Sequence, residues 1–374
     1  MQACRKDTKS EREKDRLQHD YPYADKFADR FLALAQKYPK QAVALDSLSW
    51  VLQQWDCQPG NLPVREKRNA TAVDLLIADH IQDDKIANLL DSLPFVPSPA
   101  WEKLLRSILG KNTQRTTQGL ACFRLGQCLE ALAERRQAWQ ADADTAERDE
   151  KYYGPAIMEY ARSRSVEQLS KEAEALLERV VAKYGDIEPR AGFEKDHLGA
   201  WDNKSLGKMA EGELYEFRHL RPGREAPEIA GEGLDGKRLK LSDYRGKVVV
   251  VVSWTTWCVP CRYMFPHERA LAQKFAGKPF ALLGVNGDSD RDKAKKMAEK
   301  EQLSWPCFWD GGSDCPIVTK WRLRWPTTYV LDDKAIIRRK YIGAPPDGQL
   351  ERDVDDLLTK MEATRPERKP DSHR

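Results

Sequence analysis

The 374-residue chain has no apolar run of membrane-spanning length, and its mean hydropathy is −0.69. It has no block of basic residues interleaved with aromatics. Its net charge is +3 with 32% of residues charged, so nucleic acid is not an expected partner. A glycine-rich phosphate loop is missing too: Gly110-Lys111-Asn112-Thr113 lacks the upstream glycine that would let backbone amides cradle a phosphate. The first twenty residues are almost all polar and contain no apolar core of a secretory signal. Eight cysteines in a chain of this length do not make a disulfide-stapled scaffold, and each of two domains would be large enough to build a core without staples.

What the chain does have is concentrated at Trp257-Cys258-Val259-Pro260-Cys261. The residues before it, Lys247 to Trp254, form a β-branched apolar run of strand length, the pattern of a strand buried on both faces. The residues after it, Arg262 to Phe275, have helical spacing. Two cysteines two residues apart at a strand-to-helix junction make a reactive dithiol. The first sulfur meets free amides and the positive end of the helix dipole, which favour the thiolate. A structural zinc site would need two more ligands, and the candidates His267, Cys307 and Cys315 form neither a second C-x-x-C nor an H-x-H. No metal and no other cofactor is expected.

With these residues the chain resembles the thioredoxin superfamily, in its TlpA/ResA-like and AhpC/TSA (redoxin) branch, from about Pro222 to Glu362. Pro266 falls where such proteins kink the active-site helix, and Trp325-Pro326-Thr327-Thr328-Tyr329-Val330 looks like the loop that carries the family's cis-proline. Asp235-Gly236 reads as the turn of an opening hairpin between 228–234 and 237–241. Further strands are expected at Phe280–Asn286, Trp305–Trp309, Thr328–Leu331 and Ala335–Tyr341, with helices at Asp290–Gln302 and Leu350–Met361. The resemblance implies an α/β thioredoxin-like fold with a mixed central sheet. It also implies thiol–disulfide exchange with a protein disulfide or dithiol substrate and an upstream redox partner. In this reading Cys258 attacks and Cys261 resolves, while Trp257, Val259, Pro260, Trp325, Pro326 and Thr327 face the substrate. TlpA-like proteins work in the periplasm or at a membrane surface. The polar start places this chain in the cytoplasm as it stands, or in the periplasm or on an anchor if translation begins upstream.

The chain departs from the family at both usual acid–base positions, which here are Val252 and Met264. Glu268 is a possible substitute, but the sequence reads it as a solvated helix residue. Thr255 stands three residues before Cys258, as in a peroxidatic motif, although Val251 replaces the expected proline. Thiol peroxidase activity is therefore the enzyme alternative, and a redox-sensing scaffold the non-enzymatic one.

Residues 21–220 show helical periodicity throughout. Stripes include Phe27, Phe31, Leu32 and Ala35, then Trp101, Leu104, Leu105 and Leu109, then Leu169, Ala173, Leu176, Leu177, Val180 and Val181. No repeat of fixed period is present, so an αα-hairpin array, loosely tetratricopeptide-like, is the expectation. Such a region offers a docking surface for a protein. The expected division is a disordered tail over 1–20, a helical domain over 21–220, a thioredoxin-like domain over 221–362 and a disordered tail over 363–374, with a linker at Arg221–Ala226. Cys122 and Cys128 read as small core residues, and Cys307 and Cys315 as a possible second pair. Six of the eleven tryptophans lie from Trp254 to Trp325; Trp257 and Trp325 are expected to rim the dithiol, and Trp305, Trp309 and Trp321 to pack inside.

Overall fold

A computed structural model of the chain describes residues 25–53, 62–91, 98–189, 205–311 and 316–364. Cys4, Cys57 and Cys315 lie outside them, as does the whole of the expected N-terminal tail. The chain divides into two compact units, the boundary falling between Ala210 and Glu211.

The first unit is helical: α1 (Asp25–Lys37), α2 (Ala42–Gln53), α3 (Leu62–Leu75), α4 (Ile86–Asp91), α5 (Pro99–Lys111), α6 (Arg115–Ala141), α7 (Ala143–Tyr153), α8 (Pro155–Arg162) and α9 (Val166–Tyr184). Local chemistry sets the starts. Ser98 caps α5 by accepting from the Trp101 amide, and Pro99 opens the helix where its missing N–H costs nothing. Ser165 and Gln168 form a reciprocal capping box on α9. Asp142 caps α7, so the charged stretch after Ala141 is a helix. Leu169, Ala173, Leu177 and Val180 bury the expected stripe of α9. Among the described residues no helix is long and apolar enough to cross a membrane.

Helix α10 (Leu206–His219) contains the boundary, and its residues from Glu211 belong to the second unit. That unit is built on a seven-stranded mixed sheet in the order β2-β1-β5-β4-β3-β6-β7. The strands are β1 (Ala230–Gly233), β2 (Arg238–Lys240), β3 (Val248–Trp254), β4 (Phe280–Asn286), β5 (Cys307–Trp309), β6 (Thr327–Leu331) and β7 (Ile337–Ile342). The helices are α11 (Val259–Lys274), α12 (Arg291–Lys300), α13 (Pro316–Lys320) and α14 (Gln349–Thr364). Every residue of β3 is buried, because the strand runs parallel to β4 on one side and antiparallel to β6 on the other, with packed layers on both faces. Val249 and Val251 join Phe308, Trp321 and Tyr329 on one face. Val248, Val250 and Val252 join Leu271, Phe275, Val354 and Leu358 on the other. Each buried valine contributes about 1.5–3 kcal/mol of apolar burial. Trp305 and Trp321 are buried as expected.

The expected linker at Arg221–Ala226 is instead held along β7. The Gly223 amide donates to the Ile337 carbonyl, and the Ala226 amide to the Ala335 carbonyl. Just before it, α10 contributes Glu213 and Glu216 to a buried ionic cluster. The Arg322 guanidinium reaches Glu216 at 2.7 Å and Glu213 at 2.8 Å, and Lys340 pairs with Glu216. Gly212 makes room for it: a Cβ there would stand 2.1 Å from Arg322 Nη1. Burial works against the Glu216 charge, but Lys340 and Arg322 outweigh it and hold the carboxyl down at about 2. Replacing Arg322 with Ala removes the cation that Glu213 and Glu216 share, and should destabilise the second unit by about 3–5 kcal/mol in chemical denaturation.

Candidate active site

The strand β3 delivers the chain to Thr255-Thr256-Trp257 and then to Cys258, which is the N-cap of α11. A buried polar latch holds this turn. Asp288 accepts from the Thr256 amide and the Thr256 hydroxyl, both at 2.8 Å, and from Asn286 Nδ2 at 2.8 Å. Cys258 and Cys261 are joined as a disulfide, with Cα atoms 5.3 Å apart. The Cys261 amide donates to Cys258 Sγ at 3.1 Å, so the capping position that Ser or Asp usually fills is occupied by sulfur. When the pair is reduced, the same amide and the helix dipole stabilise a Cys258 thiolate.

Cys258 and Cys261 are 3% and 1% exposed, so the first sulfur is as enclosed as the second in this state. Around them Trp257, Val259 and Tyr263 are exposed apolar side chains, and Pro260 lies exposed in the first turn of α11. Tyr263 was not foreseen, although it follows Val259 by four residues on the same helix.

The second wall of the site is the loop before β6. The Trp325–Pro326 peptide is cis, and Pro326 is buried. Ser253, inside the valine run of β3, fastens this loop: its hydroxyl donates to the Arg324 carbonyl at 2.7 Å and accepts from the Thr327 amide at 2.7 Å. The Thr327 hydroxyl accepts from the Arg324 amide and donates to the Arg324 carbonyl, each at 3.0 Å. The Thr327 side chain is thus buried and engaged within the loop. The Trp325 ring packs on the cluster of Trp254, Cys258, Cys261, Phe265 and Cys307, and meets Trp257 edge-on with centroids 6.3 Å apart.

Glu268 corrects the sequence reading most sharply. It is 4% exposed and lies on the buried face of α11 with Cys261, Phe265 and Leu271. Its Oε2 has no hydrogen-bond partner. Burial pushes the carboxyl up to about 8, against a smaller opposing effect of Arg269. It therefore carries a proton at neutral pH, on the same helix face as Cys261 and seven residues away. Cys307 is its neighbour in charge. That thiol is buried, accepts from Trp254 Nε1 at 3.2 Å, and is pushed up to about 12 by burial and by Glu268 despite the indole hydrogen bond. Among the described residues no group of three or more His, Cys, Asp or Glu side chains is placed to hold a metal.

The sequence profile of the AhpC/TSA family matches residues 222–340. The thioredoxin-like protein YneN of Bacillus subtilis is 30% identical over 142 residues, which cover 36% of this chain and 80% of that protein. The chain belongs to the AhpC/TSA family, within the thioredoxin superfamily. Similar to it at 29% over 143 residues, covering 38% of this chain and 82% of the relative, is the thiol-disulfide oxidoreductase ResA of Bacillus cereus. A crystal structure described as the thiol:disulfide interchange protein DsbE of Chlorobium tepidum is 28% identical. It covers 37% of this chain and 98% of its own, with a TM-score of 0.34.

Proposed function

We propose that this AhpC/TSA-family protein is a thiol–disulfide oxidoreductase that exchanges disulfides with protein substrates through Cys258 and Cys261. The observation that carries this reading is the bonded pair itself, with Cys258 capping α11 and receiving the Cys261 amide on its sulfur. Relatives bearing the name thiol-disulfide oxidoreductase support it.

In the reductive direction the Cys258 thiolate attacks one sulfur of a substrate disulfide. A mixed disulfide forms, and the other substrate sulfur leaves as a thiolate and takes up a proton. The Cys261 thiolate then attacks Cys258 Sγ and releases the second substrate thiol. Two electrons pass to the substrate, and the Cys258–Cys261 disulfide is left. The oxidative direction is the reverse. Trp257, Val259, Tyr263 and Trp325 give an apolar rim suited to a polypeptide segment. The helical unit is the part of the chain available for docking a protein partner.

Turnover of a protein disulfide with dithiothreitol as reductant is the test. The protein should accelerate exchange catalytically and should consume hydrogen peroxide no faster than an ordinary dithiol. Rapid peroxide consumption, with sulfenic acid accumulating on Cys258 in Cys261→Ser, would establish the peroxidase reading instead.

A further inference from the structure

The Cys258–Cys261 disulfide is almost wholly covered even though the residues immediately beside Cys258, namely Trp257, Val259 and Pro260, are exposed. Those neighbours are themselves largely open to solvent. Of the partly buried side chains packed on the cluster that holds both cysteines, Leu234, Met297, Ala298 and Leu303 belong to β1, α12 or the residues just after them. Trp325 alone comes from the loop that carries Pro326. Its six-membered ring comes up against Gly287, where a Cβ would stand 2.3 Å from Trp325 Cη2 and 2.4 Å from Cζ2. The same indole meets Trp257 in a T-shaped contact.

We propose that Trp325, seated on Gly287, is a specificity-determining residue that shields the sulfur pair from small thiols and yields to a polypeptide. The proposal rests on the exchange reading above and names the substrate class: a cysteine-containing segment with an apolar residue next to the cysteine. Such a side chain can take the indole's place against Trp257 as the substrate sulfur approaches.

Two features decide that the ring, and not the loop, is the moving part. The backbone on both sides of Trp325-Pro326 is fastened to β3 by Ser253. The indole is partly exposed and, among the described residues, makes no hydrogen bond that would hold it. Rotating it costs packing against Gly287 and Trp257 but no polar contact. A small thiol brings no apolar surface to offset that loss, whereas a polypeptide segment does.

The test measures the second-order rate at which dithiothreitol reduces the oxidised full-length protein, together with the equilibrium constant of that reaction. The variants are Trp325→Ala, Trp325→Phe and Gly287→Ala, the last pushing the ring off its seat while leaving the indole itself unaltered. Trp325→Ala should react about tenfold faster or more, Trp325→Phe should fall between it and the parent, and Gly287→Ala should gain severalfold. In each case the equilibrium constant should be unchanged, because access and not potential has been altered. Trp325→Ala should also raise KM for an unfolded polypeptide disulfide. Unchanged rates in both Trp325→Ala and Gly287→Ala would overturn the proposal, as would a rate gain matched by an equal change in the equilibrium constant. Should Trp325→Ala fail to fold, Gly287→Ala and Trp325→Phe decide the matter by the same criteria. A parent protein whose disulfide reacts with dithiothreitol but never turns over a protein disulfide would sink the exchange reading alone.

Discussion

Cys258→Ser is expected to lose disulfide exchange on the order of a thousandfold or more, down to the uncatalysed rate, because a serine hydroxyl neither ionises nor attacks sulfur at neutral pH. Cys261→Ser should behave differently: it completes the first attack and stops, so a stable mixed disulfide with a polypeptide substrate should accumulate on gels run without reductant. The asymmetry follows from the cap. Only Cys258 receives the amide of residue 261 and sits at the positive end of α11. In the reduced parent, alkylation at neutral pH followed by peptide mapping should therefore label Cys258 first. Cys307, with its thiol pushed up to about 12, should be the last of these three to react. Labelling of Cys261 ahead of Cys258 would reverse the two roles.

Glu268→Gln should change how stability depends on pH. In the unfolded chain Glu268 releases its proton near 4.5, and in the folded protein only near 8. Below 4.5 both states hold the proton and the group contributes nothing. Between 4.5 and 8 the unfolded state gives the proton up while the folded state keeps it, so stability falls as pH rises; above 8 the loss is complete. The loss is on the order of 5 kcal/mol. Glutamine has no such proton, and Oε2 has no hydrogen bond to lose. Denaturation midpoints of parent and variant should coincide near pH 4 and separate steadily up to pH 8, with the variant more stable. Parallel curves from pH 5 to 9 would mean that the carboxyl is hydrated and ionised in the folded protein. The same proton bears on chemistry. With apolar Val252 and Met264 at the usual acid–base positions, the exchange rate of the parent should show an inflection near pH 8 that the glutamine variant lacks.

The elements around the dithiol were legible because their signals are local. The valine run of β3 follows from β-branched composition and β4 from a short apolar run of strand length, and Asp235-Gly236 marks the hairpin turn, with Gly236 at φ 86°. The functional side chains that escaped notice are those whose partners lie far along the chain. Ser253 looks like one polar residue in an apolar strand, and its partners at 324 and 327 are some seventy residues on. Gly287 has no side chain to read. Glu213 and Glu216 look like ordinary surface acids until Arg322 and Lys340 come to meet them. Glu268 did carry a signal. Its spacing from Cys261, Phe265 and Leu271 puts it on the apolar face of α11, but the polar residues on either side of it, His267 and Arg269, hid that periodicity.

The ionic cluster on α10 also says where this polypeptide can be cut. A fragment begun at Arg221 would keep the whole sheet, the dithiol and the Trp325-Pro326 loop, and by sequence pattern it would look complete. It would nonetheless carry Arg322 and Lys340 into its interior without the two carboxylates that face them. A fragment begun at Glu211 keeps both acids. Ten residues at the end of a helix, remote in sequence from either cysteine, thus separate a fragment that keeps both carboxylates opposite Arg322 and Lys340 from one that loses them.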